Sequence, residues 1–227
     1  MTEVLELSAT ATERYATVLA GVASRLADRD FIAAEAQLQP IAGERWVGSL
    51  RLYASPVAGV PKRLGRSVAD RVKAEVFAKD SFRCTYCGGR AVPRCVLVAI
   101  SDVFPELFSY HPNFARGKIH PAFWALAPEA DHVIAHSSGG TNEPSNLTTL
   151  HTTCNTRKSS TARSALPPVV IGNHDAAWDG LTAVYPGVVA AGEEHGVRHS
   201  SLGYHARWMK YFSDAASRPD VPVGGLP

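Results

Sequence analysis

Cys84-Thr-Tyr-Cys87 is a C-x2-C pair followed at once by Gly88 and Gly89. A tight turn of this shape points two thiolates at one ion, and the glycines relieve the backbone. His151-Thr-Thr-Cys154 supplies a second pair, H-x2-C. Three thiolates and one imidazole complete a tetrahedral set suited to Zn2+. All four ligands come from the protein and no position remains for water, so such a zinc is structural. A redox C-x-x-C is the alternative for the first pair, but no βαβ pattern surrounds it. Cys95 is left over and reads as a small buried hydrophobe.

Between the pairs stand Asp131-His132, His136, Gly139-Gly140 and Asn146-Leu147, and the second pair continues as His151-x2-Cys154-Asn155-x2-Lys158. Over residues 67–160 this order resembles the HNH (ββα-metal) nucleases, whose pattern runs C-x2-C, D-H, G-G, N-L, C-x2-C-N-x2-K. His151 replaces the family's usual cysteine and remains a zinc ligand. Asn155 takes the third letter of the motif, where His is the common choice.

The resemblance implies hydrolysis of a phosphodiester to 5′-phosphate and 3′-hydroxyl ends. His132 would be the general base, because a neutral imidazole takes a proton near neutral pH. Successive strand residues face opposite sides, so Asp131 turns away from His132 and can hold a divalent cation. Asn155, at the start of the last helix, would offer an amide oxygen to that cation. Such hard donors favour Mg2+ or Mn2+, acting as a Lewis acid on the phosphate and its leaving oxygen. Asn146 would tie the loop to the strand and hold His132, with Gly139 and Gly140 permitting the turn. Arg157 and Lys158, within a turn of Asn155, would bind DNA phosphates. His136 is a candidate for orienting the phosphate, although a loop histidine with no partner is more often incidental.

The implied core is two strands, about 129–134 and 147–150, and a helix over 152–163. Upstream, Tyr15, Val18, Leu19, Val22 and Leu26 share one helix face. A second helix over Phe31–Gln39 stops at Pro40. These two form a core-packing layer or a dimerisation element. Residues 55–65 read as a connector. Ser67 is a fair N-cap for a helix over 67–79 on which Val68, Val72 and Val76 align. Residues 96–128, rich in aromatics and proline, read as an irregular insert that packs on the rest. Residues 165–192 are apolar with Pro and Gly punctuation, 198–212 look helical, and the tail from Arg218 frays. The expected fold class is α+β, divided into an N-terminal helical region (1–60), a nuclease domain (61–165) and a C-terminal region (166–227).

Composition narrows the rest. A chain of 227 residues with 45% hydrophobic residues is globular, and four cysteines are too few for a disulfide scaffold. There is no basic leader at Met1–Glu6 and no long apolar run, so a cytoplasmic protein without a membrane span is expected. The net charge of +2 averages a −3 segment over residues 1–50 and a +6 segment over 61–94. The basic face of the 67–79 helix is therefore a candidate for phosphate contact. Flanks on both sides of the module favour a sequence-specific restriction or defence enzyme acting on double-stranded DNA. One site per chain cuts one strand, so a double-strand break calls for a homodimer. The alternatives are a nonspecific HNH nickase, a homing-type phage nuclease, or a non-catalytic zinc-knuckle DNA-binding module in which Asp131 and His132 would not matter.

Overall fold

The computed structural model describes residues 2–52, 67–134, 140–159, 178–201 and 203–217. Ser8 accepts the Ala11 N–H at 3.0 Å and starts α1 (Ala9–Ala27). The apolar stripe of that helix is buried as the spacing predicts. Asp30 caps α2 (Phe31–Leu38), and Pro40 sits in the 3-10 turn Gln39–Ile41 that follows. Two short strands, β1 (Thr2–Val4) and β2 (Glu44–Trp46), pair in parallel with Thr2 opposite Glu44.

Helix α3 (Asp70–Lys79) begins three residues later than Ser67. Ala69 is at its N-cap with no side-chain hydrogen bond, and Asp70 in the first turn complements the helix dipole instead. The reason is packing: Val68 lies before the helix and is buried with Val76 and Leu147. An extended approach puts it there.

The segment 96–128 packs on the rest as expected and is irregular over residues 104–121, with a helix at each side. It opens in α4 (Arg94–Val103), which buries every residue from Cys95 to Asp102, and closes in α5 (Ala122–Leu126). Its aromatics are core: Phe108 and Phe123 are fully buried and stacked at 5.2 Å. Cys95 is buried, as a small hydrophobe would be.

Next come β3 (Pro128–His132), β4 (Leu147–His151) and α6 (Thr152–Lys158), the ββα order expected from the sequence. The strands are antiparallel, with Asp131 opposite Thr148 and His132 opposite Leu147. Helix α6 closes at Ser159, whose φ is +50°. Two more helices follow, α7 (Tyr185–His195) and α8 (Tyr204–Ala216). Helix α4 packs on α7, α3 on α8, and α1 on α2, α5 and α7. One continuous cluster of buried side chains, from Leu7 through α4 and Phe123 to Phe212, unites all these helices. The fold is thus mixed α and β, with a helical core and the ββα unit against one side. His136, Gly139, the connector 55–65, both expected domain limits and the tail lie outside the described residues.

Candidate active site and metal centre

Cys84, Cys87, His151 and Cys154 converge, with their ligand atoms all within 4.8 Å of one another. A tetrahedral zinc would hold thiolates about 3.8 Å apart at Zn–S distances of about 2.3 Å, so the set needs only slight contraction. The convergence is built locally. The Cys84 N–H donates to Gly89 O and the Gly88 N–H to Cys84 O, folding the knuckle with Gly88 at φ +73°. The Thr85 N–H donates to Thr149 O and fastens the knuckle to β4. Gly89 lies so close to His151 that a Cβ there would stand 3.0 Å from its Cε1. His151 Nε2 donates to Arg90 O at 3.0 Å, which turns Nδ1 towards the thiols, 3.4 Å from Cys87 Sγ.

The charges of this set are mutually dependent. Burial would raise the Cys84 thiol, yet its bonds to Cys154 and Cys87 and the His151 charge hold it well below the ordinary value. Burial opposes charge on His151, but the Cys84 thiolate raises it. Hydrogen bonds to Cys84 and Cys87 push the Cys154 thiol up. A buried group of four that cannot all ionise unaided is the environment a divalent cation relieves. All four cysteines are free thiols, and this donor set is compatible with structural zinc.

The hairpin carries the second group. Asp131 and His132 both border one small recess at the end of β3, with Tyr86, Thr148 and Lys158. Asp131 meets Lys158, whereas His132, the last residue of β3, meets Asn142. His132 Nε2 lies 2.8 Å from Asn142 Oδ1, an acceptor, so the Nε2–H donates to it. Asn146 ties the loop back to the strand. Its Oδ1 accepts the Ile134 N–H at 2.9 Å, and its Nδ2 donates to Ile134 O and Thr141 O. Gly140 is required there, since a Cβ would stand 1.8 Å from Ile134 O.

Lys158 does not extend towards solvent. Its ammonium pairs with Asp131 Oδ2 at 2.9 Å, with both side chains largely buried. That oxygen is buried and makes no hydrogen bond, so the ion pair alone balances it. Asn155 is three residues before Lys158 on α6, and residues so spaced share a helix face. Helix α6, which carries Asn155, packs against β3, which carries Asp131. Arg157 faces elsewhere, into a cleft with Arg51 and Arg116.

Helix α3 braces the hairpin. Asp80 Oδ2 accepts the Thr149 N–H at 2.7 Å, and Lys79 donates to Leu147 O and Pro144 O. The basic face expected to meet phosphate is largely engaged within the protein. Lys73 pairs with Asp70 and Arg71 with Glu75, while Arg90 pairs with Glu13 and Arg94 with Glu129. The sequence gives no sign of Asn142 or of the Asp80 brace, because neither belongs to the motif and each meets its partner only through folding.

The HNH endonuclease family model matches residues 122–161, the span from α5 through β3, β4 and α6. This segment matches an HNH domain, which supports nuclease activity at the family level; HNH nucleases act on DNA and use divalent metals. No curated protein and no solved structure matches the chain. Among the described residues, no helix is long and apolar enough to cross a membrane.

Proposed function

We propose that the protein is a metal-dependent DNA endonuclease, a sequence-specific restriction or defence enzyme leaving 5′-phosphate and 3′-hydroxyl ends. The observation that carries this reading is the recess where His132, held by Asn142, borders Asp131, itself in contact with the last turn of α6. His132 takes the proton of the attacking water as general base. The water oxygen bonds to phosphorus while the bond to the 3′-oxygen breaks, and that oxygen is protonated by solvent. Asp131 and Asn155 would hold the Mg2+ or Mn2+, which when bound supplies Lewis acidity to the phosphate and its leaving oxygen. Asn146 closes the loop so that His132 keeps its place. The knuckle of Cys84, Cys87, His151 and Cys154 would hold a structural zinc, outside the reaction.

Digestion of a DNA of known sequence, methylated and unmethylated, with Mg2+ or Mn2+ and sequencing of the ends, tests this. Discrete fragments with 5′-phosphates are expected. His132→Ala should lower the rate by on the order of 10²- to 10⁴-fold while the protein keeps its circular dichroism and melting temperature. Equal behaviour of the native and variant proteins on every DNA would reject the enzyme. Nicks without discrete fragments would reject sequence-specific cutting.

A further inference from the structure

We propose that Arg51, Arg116 and Arg157 form a clamp on the DNA backbone beside the scissile phosphate, which makes the N-terminal region part of the DNA-binding surface. The proposal rests on the nuclease reading of the neighbouring site and extends it to a surface outside the HNH motif. The three arginines line one open cleft of about 390 Å3. Its walls are the chain leaving β1 at Leu5–Ser8, the chain leaving β2 at Gly48–Arg51, and the last turn of α6.

Charge identifies the occupant. Arg14, Arg29, Arg71, Arg90 and Arg94 each have a carboxylate partner. Arg51, Arg116 and Arg157 have none among the described residues, although Glu6 lines the same cleft. Three guanidinium groups against one carboxylate suit a polyanion. Guanidinium is also the side chain best matched to phosphate oxygens, which it binds by two parallel hydrogen bonds.

The cleft is also rigid. The parallel β1–β2 pair runs on as the Val47 N–H donates to Val4 O. Gly48 then passes so close that a Cβ would stand 2.0 Å from Leu5 O. Arg116 is held by its Nε–H, which donates to Val47 O. The Trp46 N–H donates to Ile119 O and the Gly117 N–H to Trp46 O, joining that segment to β2. The floor is therefore formed before any ligand arrives, and little ordering remains for binding.

Continuity with the reaction centre fixes the role. Arg157 and Lys158 are consecutive on α6, with Lys158 on Asp131 and Arg157 in the cleft. The last turn of α6 thus borders both the recess and the cleft. Contacts of this kind set register and affinity and carry no base readout.

The test uses the full chain carrying His132→Ala, so that DNA stays intact, and a fluorescent duplex titrated by anisotropy across a range of salt. Each phosphate contact contributes about 0.9 to the slope of log K against log salt. Arg51→Gln and Arg157→Gln should each lower that slope by about 0.9, and the double variant by about twice as much. Glu6→Gln should tighten binding. Arg51 makes no hydrogen bond or ion pair among the described residues, so its variant should melt as the parent does and isolates the effect of charge. Variants that keep the parental slope overturn the clamp. Cleavage is read separately on the His132 chain. Cutting by that chain with no loss of slope in the variants leaves the nuclease standing and removes the clamp. Absence of both cutting and duplex binding removes both.

Discussion

His132 is held by a residue that the motif does not contain. A base is useful only if its lone pair points at the water, and an imidazole on the last residue of a strand can rotate. The bond from Nε2 to Asn142 Oδ1 removes that freedom. Asn142→Ala should therefore lower kcat by about 10²-fold with little change in KM, because misplacement of a reacting group by about 1 Å costs that much. Asn142→Asp keeps an acceptor and should restore part of the rate. Equal loss in both variants, or a change in KM alone, would remove the positioning role. Lys158 offers a second instance. As a basic residue near a helix end it reads as a phosphate contact, yet folding sets its ammonium on Asp131. Both features depend on where a loop or a helix end arrives in space, and residue types in order cannot encode that.

The ββα unit was the most legible part of the molecule. Its signals are short-range: a turn between two thiols, a Gly-rich loop and an Asn at fixed offsets each act over a few residues. Observed strands and helix agree with the expected ones to within a few residues where described. Helix α4 was not legible, and the reason is its burial. A helix shows itself by a polar face, and α4 buries Cys95 to Asp102 without interruption. The aromatic content rightly suggested a segment packed on the rest, but gave no sign of the helix that opens it. At this scale the knuckle is open to direct test. Knuckle, β4 and α6 share four ligands, so a metal there would stabilise the folded unit alone. One zinc per chain is expected by elemental analysis. A strong chelator or Cys84→Ser should release it and lower the melting temperature, whereas His132→Ala should retain both. A chain that holds no zinc and melts unchanged with chelator would show the four side chains to be a thiol cluster only.

Across the whole molecule, the helices before and after the HNH segment bury their side chains in one cluster, so the ββα unit leans on a scaffold built from distant parts of the chain. His120 is one of the joints. It is fully buried, lies tilted against Phe108 with ring centroids 4.6 Å apart, donates from Nε2 to Ile41 O and accepts the Ala122 N–H at Nδ1. The ring thus links the turn after α2 to the start of α5, which leads directly into β3. Both nitrogens are committed, one as donor and one as acceptor, so only the neutral tautomer fits. Burial is the main cause that pushes its pKa down, to about 3. An unfolded histidine titrates near 6.5. Between those values the unfolded chain takes up a proton that the folded chain refuses, so stability is complete above pH 6.5 and falls as pH drops towards 3. The loss for one such group is at most on the order of 1 kcal/mol per pH unit. Urea midpoints measured from pH 7.5 down to 4 should fall, and His120→Gln, which keeps one donor and one acceptor without a titrating ring, should flatten part of that fall while lowering stability at pH 7. A midpoint curve with the same slope in His120→Gln would show that other groups govern the acid limb.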